Sequence, residues 1–198
     1  MKRGRGKSKG SAYERVICKK LSLWLSKGKR KDLFWRAAMS GGRATLGKKR
    51  GENLAHQAGD ICAVHPDGHE LTNTYFIECK HYRNLRFDRF LFGKGILAQF
   101  WKKVCKEAKA YERIPMLIVQ GNRIPMQVLL PPEAILPHLQ IPRVLLMVGG
   151  VIVVIVPLQS LLKHEFEFVL RRNGEWKQDR TDPEGGTPGR GLPRVRVK

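Results

Sequence analysis

The sequence predicts one mixed α/β domain in which helices flank a central β-sheet. Two segments, residues 12–26 and 95–112, carry apolar residues at helical spacing. Each is followed by short aliphatic and β-branched runs, several of which are paired around glycine-containing turns. The length of 198 residues allows one domain with a proper core, but not two full domains.

The first quarter of the chain predicts an arm, a helix, a strand and a loop. Residues 1–10 are Gly, Lys and Arg rich, and we expect a disordered basic arm. The helix over residues 12–26, with Ser11 as N-cap, has an apolar stripe of Tyr13, Val16, Ile17, Leu21, Trp24 and Leu25. A strand over 33–38 follows, and the basic, aperiodic segment 39–58 predicts a long loop.

The middle of the chain predicts a hairpin and a second helix. Strands over 60–65 and 74–81 flank a turn at Pro66-Asp67-Gly68. Antiparallel pairing of these strands would place Asp60 opposite Glu78. The second helix, over 95–112, has Ile96, Phe100, Val104 and Ala108 on one face.

The second half predicts two further strand pairs. The first pair, 116–120 and 126–130, flanks Gly121-Asn122, and the second, 144–147 and 151–156, flanks Gly149-Gly150. The apolar run 144–156 is too short to span a bilayer, and we expect it to be buried strand. Short helices are expected within 131–141 and over 158–164, and residues 171–198 are expected to form a flexible basic tail.

The charge predicts a polyanionic partner. Lys and Arg number 38 against 17 Asp and Glu, a net charge of +21. The arm carries five basic residues and the tail a net +4, so +12 remains on residues 11–170. Nucleic acid is therefore the leading partner, with a membrane surface second and an acidic protein third.

The cysteines and the N-terminus exclude several other classes. Cys18, Cys62, Cys79 and Cys105 lie far apart without a CxxC pair, so a zinc ribbon is not expected. Reduced thiols in a cytoplasmic protein fit better than a disulfide framework. No apolar stretch follows the basic N-terminus, so a signal peptide is not expected.

Asp60 and Glu78-Cys79-Lys80 form the most informative pattern. Glu78 and Lys80 share one face of their strand, while Ile77 and Cys79 share the other. Charges inside an apolar strand are costly unless they are paired or bind a metal ion. With Asp60 nearby, two carboxylates and an ammonium group would converge, and such carboxylates can bind Mg²⁺ for phosphodiester hydrolysis.

This pattern resembles the catalytic signature of the PD-(D/E)XK nuclease superfamily. Asp60 and Glu78-x-Lys80 match the signature, and Gly59 stands at the position of its proline. The chain is most similar to archaeal and phage Holliday junction resolvases, which open with a helix carrying a glutamate, here Glu14. An Arg-x-x-x-Ser-Gly loop, here residues 36–41, follows in those proteins.

The resemblance implies a restriction-endonuclease-like core, with residues 11–170 as a single nuclease domain. Asp60, Glu78 and the main-chain carbonyl of Cys79 would bind Mg²⁺, for which Mn²⁺ would substitute. Lys80 would be the catalytic lysine, and Glu14 would complete the site through a water or a second ion. The other implied site residues are Ser40, in a loop meeting the scissile strand, and Gln99, which with Lys103 resembles a Gln-x-x-x-Lys element.

The resemblance also implies the substrate. We expect a branched DNA, a four-way junction first, cut by a two-fold homodimer without a membrane partner. The expected DNA-contacting residues are Arg36, Arg43, Lys48, Lys49, Arg50, Arg83 and Lys103. Two alternatives stay open: a duplex-directed restriction or repair nuclease of the same fold, and a non-catalytic basic DNA-binding protein in which the Asp60, Glu78 and Lys80 cluster is structural.

Overall fold

The computed structural model describes residues 5–37, 58–135, 140–166 and 170. The helices are α1 (Arg5–Leu25), α2 (His69–Thr74), α3 (Phe87–Leu91), α4 (Gly95–Ala110) and α5 (Leu158–Leu161). The strands are β1 (Phe34–Arg36), β2 (Ile61–Ala63), β3 (Tyr75–Tyr82), β4 (Ile114–Gly121), β5 (Gln127–Leu130), β6 (Val144–Val148) and β7 (Val151–Pro157). Single 3₁₀ turns occupy Pro66–Gly68 and Pro132–Ala134.

A five-stranded mixed sheet forms the centre of the fold, in the order β3-β4-β5-β7-β6. β3 and β4 are parallel and are connected through α3 and α4, whereas the other neighbours are antiparallel. β1 and β2 form a small antiparallel sheet of their own. The architecture is therefore the mixed α/β fold with flanking helices that the sequence predicts.

Helices pack on both faces of the sheet, and the sheet separates two apolar layers. On one face, Ile17 and Leu21 of α1 join Ile77 and Ile118 in one buried cluster. On the other face, Trp101 of α4 and its neighbours cover Phe76, Leu117 and Val119. Because alternate residues of β3 point to opposite faces, Glu78 and Lys80 lie on the α4 side together with Phe76.

The hairpins after β4 and β6 follow the predicted turns. β4 and β5 are antiparallel, with Leu117 opposite Leu129, and β6 and β7 pair around Gly149-Gly150. Both glycines have positive φ (60° and 83°), which is what a two-residue hairpin turn requires. Helix α4 ends two residues before its predicted end, and Glu112 just beyond it takes a left-handed conformation with φ 53°.

Helix α1 begins earlier than predicted. It starts at Arg5, seven residues before the expected start at Ala12, so residues 5–10 of the arm expected to be disordered are helical. Arg5, Lys7 and Lys9 are good helix formers, whereas Gly6 and Gly10 oppose helix; the segment extends an existing helix and so needs no new nucleus. Residues 1–4 of the arm and the tail 171–198 lie outside the described residues.

The predicted hairpin between residues 60–65 and 74–81 is wrong. β2 pairs with β1 instead, with Trp35 opposite Cys62, and β3 pairs in parallel with β4. The connection is not a simple turn, because the Pro66–Gly68 turn continues into α2 and leads directly into β3. The proximity of Asp60 to β3 nevertheless holds, through the backbone contacts given below.

The apolar run 144–156 is not fully buried as expected. β6 is an edge strand with β7 on one side, and Val144, Leu145 and Met147 are exposed. Val151 and Ile152 at the start of β7 are exposed as well. No helix among the described residues is long and apolar enough to cross a membrane.

Candidate active site

Asp60 is held between β1 and β3 by main-chain hydrogen bonds. The Ala37 N–H donates to the Asp60 carbonyl (2.9 Å), and the Asp60 N–H donates to the Ile77 carbonyl (2.8 Å). The side-chain Oδ2 accepts from the Cys79 N–H at 2.8 Å. Backbone and carboxylate are thus both attached to β3, and the carboxylate is almost fully buried.

Gly59 makes this close approach possible. Its φ is +89°, and a Cβ at this position would lie 2.7 Å from the Ile77 carbonyl oxygen. A proline, with φ fixed at about −65°, could not adopt this conformation. Glycine at the position of the signature's proline is therefore a requirement of this backbone.

Glu78 and Lys80 meet Asp60 on the α4 side of β3. Lys80 Nζ lies 2.5 Å from Glu78 Oε1 and 3.5 Å from Asp60 Oδ2. Lys103 of α4 approaches Glu78 from the α4 side of the sheet, and its Nζ lies 3.7 Å from Glu78 Oε1. Two buried carboxylates and two ammonium groups therefore form one cluster, hereafter the carboxylate cluster.

Burial sets the electrostatics of the carboxylate cluster. Burial, followed by repulsion from Asp60, raises the pKa of Glu78 to about 6, against the opposing effect of Lys80 and Lys103. Burial by itself would lower the pKa of Lys80, but the charges of Asp60 and Glu78 outweigh it and the pKa is raised. The ionised form of Glu78 at neutral pH is therefore favoured by the positive charges of Lys80 and Lys103.

The carboxylate cluster fits a hard divalent cation. Asp60 and Glu78 supply carboxylate oxygens, and the ion would relieve the repulsion that now raises the pKa of Glu78. The described residues contain no group of three or more His, Cys, Asp or Glu side chains placed to hold a metal ion. The remaining ligands would be main-chain oxygen, water and phosphate, which suits Mg²⁺ because it keeps several waters.

Glu14 lies beside the cluster and is bound by Arg36. Arg36 Nε donates to Glu14 Oε2 at 3.1 Å, and the Glu14 side chain is 15% exposed. Burial has the largest effect on the Cys79 thiol and raises its pKa. The nearby negative charges, which include Asp60, Glu78 and Glu14, raise this pKa further. Glu14 is therefore electrostatically close to the site, although the described residues show no direct contact between Glu14 and the other two carboxylates.

The remaining predicted residues are Gln99, Arg83 and five residues outside the described ranges. Gln99 is exposed on α4, one turn before Lys103, and no contact to Asp60 or Glu78 is seen among the described residues. Arg83 is exposed just after β3. Five predicted residues lie outside the described ranges, and their predicted roles stay predictions: Ser40, Arg43, Lys48, Lys49 and Arg50.

One neighbour of the site, Glu107, was not singled out from the sequence. Glu107 of α4 lies 3.6 Å from Lys103 Nζ and thus holds the lysine that reaches Glu78. Its spacing of four residues from Lys103 was the available signal. His81, the residue after Lys80, has its ring centre 5.4 Å from that of Tyr13 on α1.

Comparison with known proteins identifies one family. The family model described as "Phage putative PDDEXK endonuclease" matches residues 5–149, which include α1, the carboxylate cluster and α4. No curated protein and no solved structure matches the chain.

Proposed function

The chain belongs to the PDDEXK endonuclease family whose model matches residues 5–149, and on that premise we propose that it is a metal-dependent nuclease that hydrolyses phosphodiester bonds in DNA. The observation that carries the proposal is the carboxylate cluster, in which Asp60, Glu78 and Lys80 meet on one side of β3. The positive charge of +21 supports a polyanionic substrate.

Asp60 and Glu78 would hold Mg²⁺, with Mn²⁺ as a substitute, together with the main-chain carbonyl of Cys79. When bound, the ion supplies an acidified water and neutralises charge that develops on the phosphate. The Cys79 N–H and Ile77 carbonyl hold Asp60 in place, so its carboxylate is oriented before any ligand binds. Glu14, held by Arg36, would act from beside the cluster through a water.

We assign Lys80 a direct contact with the attacking water or with the phosphate. The charges of Asp60 and Glu78 raise its pKa, so in the metal-free protein Lys80 is an ammonium group that donates hydrogen bonds. It would orient the attacking water or stabilise negative charge on the phosphate oxygens. Water adds to phosphorus and the bond to the leaving sugar oxygen breaks, without a covalent intermediate.

The substrate we propose is a branched DNA, with a four-way junction first. The support is the similarity to junction resolvases, carried by Glu14, the Arg36 to Gly41 segment, Asp60 and Glu78-x-Lys80 in that order along the chain. A junction with two equivalent strands requires two related cuts, which a two-fold dimer can make.

The exposed apolar residues of β6 and β7 are the surface we propose for this dimer. The segment from Val144 to Pro157 contains no charged residue in a chain of net charge +21, so two copies would not repel each other there. β6 also leaves one edge without a strand among the described residues, and an edge strand is able to pair with a second copy.

The test is cleavage of labelled four-way junction, duplex and single-stranded DNA in Mg²⁺, Mn²⁺ or EDTA. We expect paired symmetric nicks in the junction, which EDTA and Lys80→Ala abolish. The matched control is Lys106→Ala, which removes an exposed lysine of α4 and should keep full activity. DNA binding should survive Lys80→Ala.

Three other results would change the proposal. Cutting of duplex or single strands alone would retain the nuclease and remove the junction specificity. Binding without cleavage in any metal would leave a basic DNA-binding protein with a structural ion-pair cluster. Loss of folding in Lys80→Ala would contradict the assignment of Lys80 to the site.

A further inference from the structure

Arg113 is a buried cation for which the described residues provide no counter-charge. The residue is 9% exposed, and no ion pair to it is seen among residues 5–37, 58–135, 140–166 and 170. Its main-chain N–H closes the end of α4 by donating to the Ala108 carbonyl (3.0 Å), so the turn through Glu112 fixes its place. A buried charge without a partner is costly, so this guanidinium requires an explanation.

Arg113 lines a pocket that contains a second unpaired donor. The pocket has a volume of about 540 Å³, and Trp101 forms part of its wall. The indole Nε1 of Trp101 is buried and has no hydrogen-bond partner among the described residues. The pocket therefore offers two kinds of donor, this N–H and the Arg113 guanidinium, which favours an occupant that carries oxygen acceptors and negative charge.

The rest of the lining defines the body and the mouth of the pocket. Apolar or weakly polar groups form most of the wall: Trp101, Cys105, Pro115, Pro131 and Val151. Lys109, Glu112 and Glu133 are exposed at the rim, where water and salt screen their charges. The volume lies in the range of small-molecule sites. The carboxylates of Glu112 and Glu133 lie at the mouth, so a ligand with amino groups would be tolerated there.

The pocket is separate from the carboxylate cluster. None of Asp60, Glu78, Lys80 or Lys103 lines it. Lys103 lies in the middle of α4, whereas Arg113 follows the C-terminal end of that helix, which is roughly 10 Å further along its axis. The pocket is thus a second site, lined by Trp101, Cys105 and Lys109 of α4 and by the residues that follow the helix.

We infer that this pocket, hereafter the Arg113 pocket, binds a small oxyanion, a phosphate or carboxylate head group on a compact apolar body, with Arg113 and the Trp101 N–H as donors. A guanidinium presents two parallel N–H groups, which match the paired oxygens of either head group. The inference is independent of the nuclease activity, because it uses no residue of the carboxylate cluster.

The test measures binding and melting temperature for the full chain in EDTA, so that no divalent ion supports binding at the carboxylate cluster. The probes are inorganic phosphate, deoxyadenosine monophosphate and benzoate, which separate a free ion, a nucleotide and a carboxylate. We expect at least one probe to bind and to raise the melting temperature of the wild type.

Arg113→Met carries the decisive comparison. It should weaken the binding of that probe about ten- to a hundredfold, as expected for removal of a charge-assisted hydrogen-bonded pair. It should also raise the melting temperature of the ligand-free protein, because an unpaired buried cation is removed. Arg143→Met removes the same charge from an exposed position and should change neither quantity.

Arg113→Lys is the second variant, since it keeps the charge and loses the paired donor geometry. It should fold and bind the probe more weakly than the wild type. Equal binding by the wild type, Arg113→Met and Arg143→Met would reduce the effect to general surface charge and overturn the inference. The absence of binding by every probe would also overturn the inference. A lower melting temperature of ligand-free Arg113→Met would do the same, because it would mean that the guanidinium already has a partner in the intact chain.

Discussion

Gly59 and Asp60 show how single residues determine the site. Gly59 takes a positive φ and passes close to the Ile77 carbonyl, and Asp60 then turns both its backbone and its carboxylate toward β3. The sequence pattern marks Asp60 as a candidate ligand, but it does not reveal that the residue before it must lack a side chain. That requirement follows from the distance between two backbone segments.

We predict that Gly59→Ala destabilises the metal-free protein by about 2–4 kcal/mol, because a left-handed conformation and a steric clash add together. Gly28→Ala is the control, since Gly28 has a similar φ of +85° but nothing within 4 Å of the added Cβ. It should cost only about 1–2 kcal/mol. Urea unfolding of both variants measures the difference, and equal costs would contradict the close approach at Ile77.

We predict that Mg²⁺ raises the melting temperature of the wild type and not that of Asp60→Asn. Asparagine preserves the acceptor for the Cys79 N–H but removes the negative charge that a divalent ion needs. Asp67→Asn, at an exposed position, should respond to Mg²⁺ as the wild type does. A normal Mg²⁺ response in Asp60→Asn would remove Asp60 from the proposed ligands.

At the scale of elements, three pieces of the chain bring the site together. β3 carries Glu78 and Lys80, the segment between β1 and β2 supplies Asp60, and α4 supplies Lys103. Since α4 also carries Trp101, Cys105 and Lys109 of the Arg113 pocket, one helix contributes to the carboxylate cluster and to the pocket. The packing of α4 through Trp101, Val104 and Ala108 is therefore a common support for both.

The exposed apolar strand β6 leads to a prediction about assembly. We expect the wild type to be a dimer in solution, and the double substitution Leu145→Lys and Met147→Lys to convert it to a monomer, because two charges would have to be buried in each copy. Both side chains are exposed, Met147 at 68%, so the monomer should stay folded.

Light scattering coupled to size-exclusion chromatography measures the mass of each variant, and circular dichroism checks the fold. The control is Arg143→Lys, a charge-preserving change at an exposed position just before β6. A dimer that survives the double substitution would place the interface elsewhere, and a monomeric wild type would remove this dimer altogether.

At the scale of the whole molecule, the positive charge predicts salt-sensitive DNA binding. Residues 171–198 contain eight basic and four acidic residues, so their deletion lowers the net charge while the carboxylate cluster remains. We expect the slope of log affinity against log salt to become shallower, by about 0.9 for each phosphate that the tail neutralises in the full chain.

Filter binding to one duplex over a series of salt concentrations gives this slope for the full chain and for the shortened chain. Cleavage of saturating substrate at low salt should be similar for both, because no residue of the carboxylate cluster is removed. An unchanged slope would show that the tail does not bind the phosphates, and a failure to cleave would show that it contributes to the site.

Most of the fold, and the candidate residues of the carboxylate cluster, could be predicted from local patterns. The stripes of α1 and α4 and the glycine turns before β5 and β7 are local signals, and they correctly indicate a mixed sheet between helices. Asp60, Glu78 and Lys80 could be recognised because charged side chains in an apolar strand are expensive and therefore informative.

The tertiary structure decided everything that depends on which distant segments become neighbours. Strand pairing is such a property, and so β2 joins β1 and not β3, while β6 ends at an exposed edge. The approach of Lys103 to Glu78 and the position of Arg113 and Trp101 in one pocket are of the same kind. A periodic pattern reports only which face of its own element is apolar, whereas these contacts arise from packing between elements far apart in the chain.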